Sequence, residues 1–397
     1  MSKKEWKAKK VNLGGAIVVS VIMLVVGLFL GVNCPSFLAE FAPYLGFEKN
    51  YSSEMDWSSL NEVYNKLVNY YDGDLKRDEM IEGAKKGLTE ALGDIYTVYM
   101  NADEAQEYMD DLHGNVGAGI GVEMGMRDGY VRVLRTLPDN PAREAGILAG
   151  DILYKVDGED VYDLPVDEIS QRIRGEAGTE VKVTIVRDGK EKDFKMRREI
   201  INNVSAYVEY DGSTAIITVT RFDNDTGTMV QSFAKEFKDK GVKKVILDLR
   251  NNGGGYVSAA QDLLSLWVDD DVVLIQKSKH TDDMETSSYS GKAILKDIET
   301  IVLVNGSTAS ASEIVAGALQ DYEKATIVGE TTYGKGVVQN MFDFANGSKL
   351  KVTTAAWYTP KGRSINETGI EPDIKVERSF EDINAMRDPQ MDKAKEL

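Results

Sequence analysis

The chain has 397 residues, more than one ordinary hydrophobic core accommodates, so two or three domains of about 100–200 residues are expected. Its formal net charge is −18. Residues 1–10 hold five lysines against Glu5, so the remaining chain is more acidic still, at −22. A body this acidic repels phosphate backbones, which argues against a nucleic-acid partner, and the single cysteine, Cys34, excludes an intrachain disulfide.

In chain order, the basic tail 1–12 precedes Leu13 to Val32, a run without a charged residue. As a helix this run is about 30 Å long at roughly 1.5 Å per residue, the thickness of a hydrocarbon core. With lysines before it and an acidic body after it, it reads as an uncleaved signal-anchor, N-terminus in the cytoplasm and body outside. A linker over 33–54 follows. Between 55 and 112 the pattern is helical: Leu60, Val63, Leu67 and Tyr70 recur at three- and four-residue spacing, as do Met80, Ala84, Leu88 and Leu92.

From 113 to 198 the texture changes to short alternating strands with glycine punctuation, GAGIGVEM, YVRVLRTL, DILYKVDGEDV and EVKVTIVRDGK, around one helix, VDEISQRIRG. From 199 to 380 strands and helices alternate: TAIITVTRF, a helix carrying Met229, Phe233 and Phe237, KKVILDLRNNGGG, TIVLVNG, TASASEIVAGALQD and ATIVGETTYGKGVVQ. That order predicts an α/β core with parallel pairing, in a multidomain chain whose fold class is α/β. Sites in such cores form where strands end in glycine-rich loops. A tail or helix over 381–397 closes the chain.

Two of those loops carry chemistry. GSTASASE offers Ser307, Ser310 and Ser312 at the start of a helix, where free N–H groups and the positive end of the macrodipole stabilise an oxyanion. Serines there also serve as plain N-caps, so the segment alone leaves all three open. Lys335 stands between Gly334 and Gly336. A lysine base must be neutral, and moving its pKa from about 10.4 to about 7 requires about 4–5 kcal/mol of destabilisation of the cation, which burial supplies. Gln339 is placed to accept from that amine. GETTYGK imitates the start of a phosphate-binding loop, but Gly336 replaces the required Ser/Thr and VVQNMFDF alternates like a strand, so nucleotide binding is rejected. His113 and His280 are both read as surface residues. One cysteine and no paired histidines leave no metal site, and no cofactor is expected.

PAREAGILAGDILYKVDGEDV (Pro141 to Val161) resembles a PDZ domain of the permuted bacterial kind. In that setting Gly119, Ile120, Gly121 and Val122 form a loop whose backbone N–H groups hold a peptide's terminal carboxylate, while an edge strand pairs with the tail. Over about 55–390 the chain resembles the C-terminal processing peptidase family, through LDLRNNGGG, GSTASASEIVAGALQD, GETTYGKGVVQ and VTTAAWYTPKGRSINETGIEPD. The resemblance implies Ser310 as nucleophile, Lys335 as base, Gln339 as its support, and an oxyanion hole from the N–H groups of Gly254 and Ala311. Gly253 and Ile95 stand where the family often has proline. Flexible or unfolded protein C-termini are the implied substrates, with the catalytic body extracytoplasmic. Arg174, in IRGEAGT, is a candidate for coupling the PDZ domain to the core, and a homodimer or a regulatory partner is compatible with all of this.

Overall fold

A computed structural model describes residues 19–24, 57–127, 129–280, 284–385 and 387–397. The chain divides into two compact units, residues 1–77 and 78–397. In the first, residues 19–24 of the expected anchor are helical and exposed, and the rest of the anchor, Cys34 and the linker lie outside the described residues. No helix among the described residues is long and apolar enough to cross a membrane. Helix α1 (Ser58–Tyr70) forms as its periodicity predicts, but its apolar stripe Leu60, Val63, Leu67 and Tyr70 is exposed.

Helix α2 (Arg77–Glu90) leads into the second unit, followed by strand β1 (Val98–Met100) and α3 (Ala102–His113). Asn101 caps α3 in a reciprocal box with Glu104, and Gly114 in the left-handed region ends it.

The alternating segment folds as β2 (Ala118–Gly119), β3 (Val122–Arg127), β4 (Tyr130–Thr136), α4 (Pro141–Ala145), β5 (Ile152–Val156), β6 (Glu159–Asp160), α5 (Val166–Ile173), β7 (Glu180–Arg187), β8 (Lys190–Arg197) and β9 (Glu199–Ile200). Strands β3-β4-β5-β7-β8 form an antiparallel sheet, with β6 on β5. Val181, Val183 and Ile185 bury every second side chain of β7, and α5 closes the core with Ile169 and Ile173.

The remainder comprises β10 (Ala206–Asp211), β11 (Thr214–Val219), α6 (Thr226–Glu236), β12 (Lys244–Asp248), α7 (Val257–Leu264), β13 (Val272–Lys277), β14 (Met284–Ser287), β15 (Glu299–Val304), α8 (Ala311–Asp321), β16 (Thr326–Gly329), β17 (Val337–Asp343), β18 (Lys349–Tyr358), β19 (Ile374–Lys375), α9 (Phe380–Asn384) and α10 (Pro389–Glu396). The central sheet runs β10-β11-β12-β15-β16-β19, parallel from β11 onward, with β10 antiparallel. Its inner strands are continuous apolar runs, Val245–Leu247 and Ile301–Val304, because helices cover both faces.

A second, antiparallel sheet takes β1-β18-β13-β14, with β17 also on β18. Strand β1 lies inside the segment expected to be wholly helical. Its pairing with Lys349–Lys351 draws the preceding residues, Asp94 to Thr97, onto the core, where Thr353 N donates to Thr97 Oγ1 at 3.0 Å. The C-terminal segment is equally committed. Gln390 and Ala394 of α10 are buried, and Asp388 accepts two hydrogen bonds from Arg250 at 2.8 and 2.9 Å.

Candidate active site

The C-terminal ends of β12, β15 and β16 are neighbours, so the loops after them, NNGGG, GSTAS and GETTYGK, meet. Their contacts separate the three serines. Ser307 is exposed. Ser312 is fully buried and donates Oγ to Asn252 O at 3.0 Å. Ser310 is half-buried at the N-cap of α8, with φ 57° and ψ −118°. A non-glycine residue there costs about 1–3 kcal/mol, and such strain is tolerated where the surroundings fix it. A strained turn between a strand end and a helix is also where other hydrolases hold a nucleophilic serine.

Asn252 ties the first two loops together. It is buried, accepts Ala309 N on its carbonyl at 3.0 Å, accepts Gly254 N on Oδ1 at 2.8 Å, and donates Nδ2 to Val219 O at 2.9 Å. Gly254 has φ 102°, and a Cβ on it would lie 2.8 Å from Ser310 Cβ and 2.9 Å from Ala311 N. The fold therefore brings Gly254, Ser310 and Ala311 together. Ala311 N–H, in the first turn of α8, is unpaired within the helix and faces this point. The N–H of Gly254, the other expected oxyanion donor, is held by Asn252 Oδ1 in this structure.

The third loop is attached by a carboxylate. Glu313, with no exposed surface, takes four donors: Thr332 Oγ1 (2.5 Å) and Gly334 N (2.7 Å) on Oε1, and Ser310 N (2.8 Å) and Lys335 N (2.9 Å) on Oε2. One side chain thus fixes the backbone of both Ser310 and Lys335. Tyr333 N donates to Thr308 O at 3.0 Å, Trp357 Nε1 donates to Lys335 O at 2.8 Å, and Gly334, at φ 89°, packs where a Cβ would meet Gly369 N at 2.9 Å.

Burial pushes the half-buried Lys335 amine below its usual pKa of 10.5; the nearby charge of Lys351 adds to this, and Glu313 opposes it. Lys335 Nζ lies 5.2 Å from the ring centre of Tyr96, delivered by the segment before β1. Burial, first, and the neighbouring Tyr333 push the Tyr96 phenol up to about 12, so its hydroxyl stays protonated at neutral pH. Among the described residues Lys335 Nζ makes no hydrogen bond to Ser310 Oγ. Gln339 does not bond Lys335 either: it sits beyond a bulge in β17, with Nε2 buried and without a partner among the described residues.

In the alternating domain, Gly119 to Val122 line a cavity of about 310 Å³ that Arg174 also borders. Gly121, at φ 75°, packs against Asn140, where a Cβ would clash at 2.3 Å. Arg174 caps α5 with its backbone and is exposed. His280 is exposed, but His113 is not a free surface residue: it is half-buried, and its Nε2 lies 3.1 Å from Tyr256 Oη. Among the described residues no cluster of histidine, cysteine and carboxylates could hold a metal.

Glu313, Asn252, Tyr96 and Trp357 escape the sequence reading. Only Glu313 carries a local signal, the S-x-x-E spacing of a capping box. The others are brought in by tertiary contacts.

Comparison with known proteins places both domains in known families. The PDZ domain family matches residues 118–197 and Peptidase family S41 matches residues 213–376. A probable CtpA-like serine protease of Staphylococcus aureus (strain MRSA252) is 33% identical over 387 residues, 96% of this chain and 75% of its own length. The chain belongs to the C-terminal processing peptidase family. A second CtpA-like relative, from Staphylococcus haemolyticus (strain JCSC1435), is 34% identical over 361 residues, 89% of this chain and 72% of its own. The solved photosystem II D1 C-terminal processing protease superposes with a TM-score of 0.53 at 26% identity, over 83% of this chain and 89% of its own. A putative S41 protease from Bacteroides fragilis shares the fold, with a TM-score of 0.51 at 16% identity over 70% and 81% of the two chains. This member of the family is therefore a serine-type peptidase with a PDZ domain in an α/β multidomain chain.

Proposed function

We propose that this peptidase captures flexible C-terminal tails of extracytoplasmic proteins in its PDZ domain and cleaves them with a Ser310–Lys335 pair. Neutral Lys335 takes the Ser310 proton, and Oγ attacks the peptide carbonyl. The oxyanion forms at the N-terminus of α8 against Ala311 N–H. Collapse expels the amine with the proton held by lysine, leaving an acyl-enzyme that water hydrolyses by the same steps in reverse. Gly254 N–H joins the hole when it is released from Asn252, and Gln339 supports the amine once that amine leaves Tyr96. The carrying observation is the Glu313 carboxylate, which binds the backbone of both reacting residues.

The lysine's position over Tyr96 supports an enzyme that rests with its base withdrawn and completes the site on binding substrate or a regulatory partner. Contacts in an empty site commonly tighten only with substrate bound. The uncharged run 13–32 is read as a single membrane anchor, cytoplasmic at its N-terminus, with the PDZ domain at 113–198 and the core at 199–380 outside. Incubating the full chain with an unfolded protein is the test. Ser310→Ala and Lys335→Ala are expected to abolish fragments, while replacing His113 and His280 together leaves cleavage intact. Fragments persisting in Lys335→Ala end the assignment.

A further inference from the structure

The cavity at Gly119–Val122 is not made by the PDZ domain alone. Ile120, Val122, Leu137 and Ile173 supply its apolar wall, and Thr220 and Arg221, from the end of β11 in the peptidase core, close it. At about 310 Å³ it lies at the small end of ligand clefts, room for a chain end rather than a long segment.

Arg221 is the unusual member. Its side chain is 15% exposed and lies 3.0 Å from Asp223 Oδ2, while a terminal nitrogen donates to Asn203 O. Its Nε is buried and has no partner among the described residues. Asp223 cannot serve it alone, because Oδ1 already accepts Asp225 N, Thr226 N and Thr226 Oγ1. Gly114 holds the guanidinium plane in place: a Cβ there would lie 2.3 Å from Arg221 Cζ. The unfilled Nε is sealed from the cavity, but the exposed 15% of the side chain lines it and carries a cation that one shared carboxylate only partly offsets, a charge suited to a ligand carboxylate. Two other arginines border the cavity, but Arg135 is paired with Glu123 and Arg174 is exposed.

We infer that Arg221 supplies the second half of the tail-carboxylate site, the peptidase core contributing a guanidinium opposite the PDZ backbone amides. The inference rests on the tail-capture reading above and deepens it. The next residue, Phe222, donates N–H to Gly254 O at 2.9 Å and accepts Tyr256 N at 2.8 Å, so the same strand end carries the tail carboxylate and borders the loop packed on Ser310.

The test measures binding to the full chain carrying Ser310→Ala, using a fluorescent flexible peptide with an apolar last residue, made once with a free carboxylate and once with a terminal amide. The free acid is expected to bind at least about tenfold tighter than the amide, as loss of a charge-assisted hydrogen bond predicts. Arg221→Gln is expected to shrink that ratio to about twofold with little change for the amide, and Arg221→Lys to restore part of it. An undiminished ratio in Arg221→Gln overturns the inference. So does an equal loss for acid and amide, which marks a structural role, and so does an absence of discrimination in the Arg221 parent. Cleavage of an unfolded protein by the Ser310-containing chain is read separately. If it fails while discrimination persists, the peptidase mechanism falls and the Arg221 site stands.

Discussion

The loop that carries Ser310 and the loop that carries Lys335 reach the same point by different means. Ser310 is placed locally, by a strained turn at the head of a buried helix whose first amide is free. Lys335 sits in a coil that makes few bonds of its own kind and borrows its position from Glu313, Trp357, Thr308 and the Gly369 backbone. In the proposed mechanism the base is therefore the more vulnerable partner. Its charge state depends on burial and on Lys351, both supplied by other elements.

The strongest way to break this contrast is Glu313→Gln, which keeps the shape but turns one acceptor into a donor facing two donors. Cleavage is expected to fall about 10²-fold or more, as for a displacement of reacting groups by about 1 Å. Stability falls with it, by about 3–5 kcal/mol in denaturant, since a buried acceptor set is broken. Unchanged turnover would show that the two loops hold their places without the carboxylate.

Trp357→Phe removes the bond to Lys335 O and leaves a small void where the buried indole packed. A loss of about 1–3 kcal/mol is expected, with a smaller drop in turnover than for Glu313→Gln. A larger fall in turnover than in Glu313→Gln would make the indole, not the carboxylate, the main support of the Lys335 loop.

Lys351→Met sharpens the electrostatic half. Removing a like charge lets the Lys335 pKa rise toward 10.5, so less neutral amine is present near pH 7 and the rate drops about two- to fivefold. The rising limb of the pH–rate profile moves to higher pH, and a limb that stays put or moves down contradicts the role of Lys351.

The smallest effect is thermodynamic. Because Lys335 titrates lower in the folded chain than unfolded, the unfolded chain binds more protons between the depressed value and 10.5, and stability rises with pH across that window. Lys335→Met removes the cost of burying the cation. It is expected to raise the melting temperature near neutral pH, with the gain vanishing above pH 10.5. A destabilised variant at neutral pH would mean that the amine is better solvated than its burial implies.

The amino-acid order alone determined the parallel core, the two glycine-punctuated domains and the short list of reacting groups, because periodicity, turn residues and helix caps act over a few neighbours. It placed Val337–Asp343 as a strand and left Ser307, Ser310 and Ser312 as a trio that local rules cannot split. Tertiary structure gives them different settings, burying Ser312 against Asn252 and leaving Ser310 half-open beside Ala311 N–H. It also decided what no local pattern encodes: that β1 would pair across about 250 residues and set Tyr96 under the lysine, that Asn252 would occupy the Gly254 amide, and that a core arginine would wall the PDZ cavity. Desolvation and hydrogen-bond partnership are properties of the packed assembly, so a residue's protonation and its free donors become fixed only once distant segments have closed around it.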